Sequence, residues 1–141
     1  MPMQATATAP LTDNDRAAIK GLIAQFDKDM LARKVPALVA AYTEDAILMP
    51  PHAPMVRGRA AIRQFFEDFP KVTEFSQKPI EIEGEGDLAF PWGTFEMAVL
   101  PEGAAAPVRD RGKVLGIFHK QPDGSWLAGR VCWNSDLPLV P

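Results

Sequence analysis

Residues 44–62 read EDAILMPPHAPMVRGRAAI, and the fold turns on that stretch. Ile47, Leu48 and Met49 form a continuous apolar run, which suits a short strand covered on both sides. Pro50 and Pro51 end it, since neither can donate to a ladder. A Pro-interrupted loop follows. Gly58 then opens a helix whose inner face holds Ile62, Phe65, Phe66 and Phe69 until Pro70 closes it. A strand that stops beside a helix start predicts the wall and lip of a pocket, with His52 at the lip.

Upstream, Thr12 and Asp15 have the spacing of a capping box, with Asp in place of Glu. Ile19, Leu22, Ile23, Phe26 and Met30 recur at helical spacing, which predicts a first helix to about Arg33. In KVPALVAAY, Pro36 suits the first turn of a short second helix. Downstream, FSQKPIEIEGEG alternates around Ile80 and Ile82 and turns at Gly84 and Gly86. DLAFPWGTFEMAVL reads as a long strand, with Pro91 and Gly93 marking a bulge or bend. RDRGKVLGIFHK and SWLAGRVCWNS are strands joined by the hairpin turn QPDG. This order predicts an α+β fold, a cone-shaped curved antiparallel sheet with three N-terminal helices packed on its concave face. Residues 1–11, rich in small residues and prolines, read as a flexible arm, and 12–141 as a single domain.

Bulk properties exclude several functions. The net charge is −3 with no basic stripe, so the electrostatic footprint of a nucleic-acid binder is missing. No run approaches the roughly 18 apolar residues of a membrane helix. The first ten residues lack the basic and apolar regions of a secretory signal. Cys132 is the single cysteine, which rules out an intrachain disulfide and reads as a buried thiol in a reducing compartment. A cytoplasmic protein is expected.

The segment ARKVPALVAAYTEDAILMPPHAPMVRGRAAIRQFF, residues 32–66, is similar to the signature of the SnoaL-like proteins. These belong with ketosteroid isomerase and nuclear transport factor two. The ending GKVLGIFHKQPDGSWLAGRVCWNSDLP resembles an uncharacterised bacterial branch of that family. The resemblance covers nearly everything after residue 12. It implies the cone fold, a homodimer paired through its sheets, and a small-molecule site. It does not imply one reaction, because this fold carries isomerases, dehydratases, cyclases, hydrolases and non-catalytic binders. The catalytic groups of ketosteroid isomerase fall on Pro50, on Phe26 and near Gly116, none of which can perform that chemistry.

Candidate chemistry therefore comes from other residues. His52 titrates near neutrality and follows the first strand, close to where the family keeps its base. The alternative is a solvated loop histidine. Asp136 is the second acid–base candidate, since a carboxylate beside Trp133 in a dry pocket would be easier to protonate. Equally, Asn134 and Asp136 fit a strand-end cap, or a surface between subunits. The expected lining is Phe26, Met30, Tyr42, Met49, Phe66, Phe90, Trp92, Phe95 and Trp133, with Lys113 and Asn134 supplying polar contacts. Such a lining calls for an apolar small molecule. Arg57, Arg59, Arg109 and Arg111 could meet an anionic group on it. Two distant histidines and one cysteine make no metal spacing, and no nucleotide loop or nucleophile elbow is present. Two readings stand: a cofactor-independent isomerase, dehydratase or cyclase working by proton transfer, and a non-catalytic ligand-binding or dimerisation module.

Overall fold

Thr12 begins the first helix as its spacing predicts. Its hydroxyl accepts from the Asp15 amide at 3.0 Å, and the Thr12 amide donates back to the Asp15 carboxylate at 3.1 Å. The computed structural model describes residues 9–138. Helix α1 spans Asp13–Leu31. It stops two residues short of Arg33, whose left-handed backbone (φ 53°) cannot continue a helix. Arg33 then donates to the Glu67 and Phe69 carbonyls at 2.9 and 2.8 Å, tying that corner to the end of the third helix. Helix α2 is Val35–Ala40, with Pro36 in its first turn.

Strand β1, Tyr42–Met49, ends at Pro50. The loop after it conceals a two-residue strand, β2, Val56–Arg57, which pairs back antiparallel on Ile47 and Leu48. Helix α3 then runs Gly58–Asp68, with Ile62 and Phe66 buried. Four long strands follow: β3 Lys71–Glu85, β4 Leu88–Leu100, β5 Val108–Lys120 and β6 Trp126–Ser135. They form one six-stranded sheet ordered β2-β1-β6-β5-β4-β3. All neighbours are antiparallel except β1 and β6, which run parallel. The sheet is thus mixed at the one join between the helical half of the chain and the hairpins.

Curvature comes from β3. Its pairing with β4 skips at Thr73 and again at Ile80, where β3 carries an extra residue. Extra residues of this kind bend a strand and increase its twist. The irregularity expected at Pro91 and Gly93 of β4 therefore sits opposite, at Ile80. Gly93 is its counterpart, because a Cβ there would collide with the Lys78 carbonyl oxygen.

Two apolar cores result. The larger one fills the cone with Met30, Leu38, Val39, Tyr42, Ala46, Leu48, Ile62, Phe66 and Ala128. The smaller one closes the narrow end with Leu11, Ile19, Ile82, Ala89 and Trp126. Residues 1–8 of the expected arm lie outside the described residues. Residues 9–11 are held against the sheet: Pro10 bridges Glu85, the Gly86 amide donates to the Ala9 carbonyl at 2.7 Å, and Leu11 is buried.

At the narrow end the Lys120 ammonium meets the Asp15 carboxylate at 3.1 Å and lies 5.9 Å from the Trp126 ring centroid. The Asp15 carboxyl is held down at about 2, first by the Thr12 amide and then by Lys120. A carboxyl lowered by folding contributes stability that is complete above its unfolded value of about 3.9 and fades as pH falls toward 2. Thermal midpoints measured from pH 6 to pH 2 therefore fall less steeply in Asp15→Asn than in the parent. At pH 7, Thr12→Ala costs about 1 kcal/mol through loss of the cap.

Candidate functional site

The inward-facing positions of β4 and β5 alternate large residues with glycine: Gly93 and Phe95 on one, Gly112, Val114, Gly116 and Phe118 on the other. Glycine at these positions leaves room between sheet and helices. Two small chambers occupy it. One, of about 80 Å³, lies between Leu22, Ile23 and Phe26 of α1 and the backbone around Pro79, Pro91, Gly93 and Gly116. The other, of about 70 Å³, lies between Met30, Phe65 and Phe66 of α3, Phe69 just after it, Phe75, Phe95 and Trp133. Phe26, Tyr42, Gln77, Val114 and Val131 line both and form the waist between them.

Phe26 narrows the waist from the α1 side, lining both chambers. Its ring meets Tyr42, Phe66 and Phe75 at centroid distances of 6.2, 6.1 and 6.3 Å, edge-on to the first two. Tyr42 is fixed through its backbone, whose carbonyl accepts from Nε and Nη2 of Arg59 at 2.9 and 2.5 Å. Burial pushes the Tyr42 phenol well above its ordinary value, so it stays protonated. Among the described residues its hydroxyl has no hydrogen-bond partner, and Tyr42 lines both chambers.

Gln77 is the other polar group there. Its backbone amide donates to Asp27 Oδ2 at 3.0 Å and its side-chain Nε2 to Asp27 Oδ1 at 2.8 Å. A carboxylate can only accept, so this contact fixes which end of the Gln77 amide faces α1 and leaves its Oε1 free. Desolvation raises the Asp27 carboxyl, against the pull of the two Gln77 donors.

The structure brings together Phe26, Met30, Tyr42, Phe66, Phe95 and Trp133 of the expected lining. The others stand elsewhere. Met49 is half-buried in register with Cys132, away from both chambers. Trp92 borders the first chamber along its strand, but its indole is 37% exposed on the outer face and donates to Glu81 at 3.0 Å. Phe90 is exposed on that same face. Lys113 and Asn134 are cross-strand partners on the outer surface, and Lys113 pairs with Asp136 at 2.5 Å. His52 is exposed in the β1–β2 turn with φ 57°. Neither His52 nor Asp136 lines a chamber, and no contact joins them. Cys132, expected buried, is exposed.

Arg59 is spent on Tyr42 and Arg109 on Glu74, the latter at 2.6 and 3.1 Å. Among the described residues, no three His, Cys, Asp or Glu side chains converge as a metal site would need. No described helix is long and apolar enough to cross a membrane.

Gln77 and Asp27 were not found by sequence reasoning. Alternation through Ile80 and Ile82 put both isoleucines on one face, whereas the extra residue at Ile80 reverses the face of everything before it. Ile80 is 52% exposed, and Phe75, Gln77 and Pro79 point inward.

Comparison with known proteins agrees with this architecture. A ketosteroid isomerase-like protein from Erwinia carotovora atroseptica SCRI1043 superposes with a TM-score of 0.81 at 20% identity, over 90% of this chain and 100% of that one. An NTF2-like protein with a cystatin-like fold from Novosphingobium aromaticivorans gives 0.72 at 21%, over 85% and 80%. A protein from Catenulispora acidiphila, solved in complex with S-DNPA, gives 0.73 at 14%, over 89% and 96%. No curated protein matches the chain. The SnoaL-like domain matches residues 22–128, running from α1 into β6 and taking in the lining of both chambers except Val131 and Trp133, and the chain belongs to that family.

Proposed function

We propose that this protein binds a small apolar molecule in the cone between α1, α3 and the sheet. The observation that carries this reading is the waist: an apolar, aromatic pocket in which the Tyr42 hydroxyl has no partner among the described residues. Pockets of this kind orient their guests with one or two polar groups. A related fold holding S-DNPA supports the same reading by analogy.

A ligand at about 100 times its Kd adds about 2.7 kcal/mol of stability. Thermal shift against apolar monocyclic compounds gives such a rise for the parent and equally for His52→Ala and Asp136→Asn. Val114→Phe fills the waist and removes the rise. A rise that survives Val114→Phe would place the ligand outside the cone.

Proton transfer on the bound molecule is a second reading, for which Asp27, held on Gln77 beside the waist although it lines neither chamber, is the candidate carboxyl. A half-buried carboxyl with a raised pKa is suited to moving protons. Its signature is deuterium uptake next to the carbonyl of a bound ketone, lost in Asp27→Asn while binding remains.

The outer face of the sheet suits a homodimer. Trp92 and Leu115 are cross-strand partners there, exposed by 37% and 45%, with Leu88 and Phe90 alongside. Contiguous apolar surface of this kind marks an interaction site, and a two-fold pairing of identical sheets covers it in both copies. Light scattering at micromolar concentration gives a dimer for the parent and a monomer for Leu115→Glu. Cys132, in register with Leu115, reacts faster with a thiol reagent in that variant.

A further inference from the structure

We propose that the guest of the cone is a single six-membered ring bearing one neutral oxygen, held at the waist by Tyr42 and Gln77, with Phe26 setting the limit of one ring. This rests on the reading of the cone as a ligand site. It adds the chemical class and the residue that sets its size.

Size comes from volume. Each chamber alone, at about 80 and 70 Å³, is smaller than the roughly 150 Å³ cavity known to accept one benzene ring. Together they approach that volume, so one ring fits across the waist. Phe26 limits it at the waist; a third cavity, of about 250 Å³, borders Met30, Phe66 and Phe69 but none of the waist residues. The Phe26 side chain lines both chambers and is held by Tyr42, Phe66 and Phe75 on three sides. A fused second ring would have to occupy the space of the Phe26 ring itself.

Polarity comes from the two unpaired groups. The Tyr42 hydroxyl has no partner among the described residues and can donate. Gln77 offers a free Oε1 acceptor and one remaining Nε2 hydrogen, because Asp27 has taken the other. A ketone oxygen can accept from Tyr42, and a phenol can do so while donating to Gln77. An anionic group would meet two donors but no facing cation there. Lys78 is the one cationic residue bordering either chamber; it is exposed, on the strand face opposite Gln77 and Pro79. Asp27, one residue from Phe26, adds a negative charge beside Gln77.

The test is calorimetric titration of the full chain with toluene, phenol, cyclohexanone, benzoate and 1-naphthol. The parent binds the first three, with phenol and cyclohexanone tighter than toluene, and rejects benzoate and 1-naphthol. Tyr42→Phe weakens phenol and cyclohexanone by about 5- to 10-fold and leaves toluene within twofold, the loss of one hydrogen bond. Gln77→Leu weakens phenol more than cyclohexanone. Phe26→Ala admits 1-naphthol, and Phe26→Leu does so more weakly while keeping more of the packing. Equal weakening of phenol and toluene in Tyr42→Phe overturns the polar assignment. Tight naphthol or benzoate binding by the parent overturns the size or charge limit. If not even toluene binds, the cone is no ligand site and both readings fall together; toluene binding without oxygen selectivity spares the site and overturns the proposal alone.

Discussion

The extra residue at Ile80 is the constraint from which the rest of this structure follows. It lets β3 fold over β4, and the bend is possible because Gly93 opposes it with no side chain to obstruct the Lys78 carbonyl. Without that bend the sheet would be a flatter layer, and α1 would pack directly on it. With it, the far ends of β3 and β4 curl toward α1, which packs against β3. The same residue reverses the strand's alternation, so that Gln77 rather than Lys78 faces α1. Curvature and polarity of the cone thus have one origin.

Gln77 then needs Asp27, and Asp27 needs Gln77. A lone carboxylate half removed from water is unfavourable, and two donors from one residue offset part of that cost. An amide side chain facing an aromatic enclosure is similarly unfavourable unless one end is engaged. The pair settles both problems while leaving one amide oxygen open. Tyr42 differs, since its hydroxyl is left open by the packing around it. Arg59 fixes its backbone and Phe26 its ring, so the phenol is rigidly presented without being consumed.

Much of this was legible in the sequence because it is decided locally. The Thr12–Asp15 box, Pro36, Pro50, Gly58 and Pro70 each place an element boundary by their own backbone chemistry, and the structure keeps all of them. The hairpins around QPDG and the apolar stripe of α1 were equally readable. Facing was not. Strand β4 carries apolar residues on both sides, so Phe90 looked like lining while it stands outside, and Trp92 borders a chamber with its indole turned to the outer face. Alternation through Ile80 hid the extra residue. Strand β2 is only two residues long and sits among prolines, where no periodicity can declare it. The parallel pairing of β1 with β6 joins residues more than eighty positions apart, beyond the reach of any local pattern.

The two faces of the sheet also explain why the family resemblance fixed architecture before chemistry. Inward positions are restricted by volume, and glycine at 93, 112 and 116 is required by the strand or ring lying against each. Outward positions carry Lys113, Asn134 and Asp136, all exposed, with Lys113 and Asp136 paired to each other. The acid–base candidates chosen by sequence position, His52 and Asp136, fall at the loop and strand ends where the fold imposes least. The groups that the fold does constrain are Gln77 and Asp27, tied to the bend and to α1, and Tyr42, held by Arg59 and Phe26. A site built on those three is set by rigid elements, whereas one built on His52 would depend on a turn.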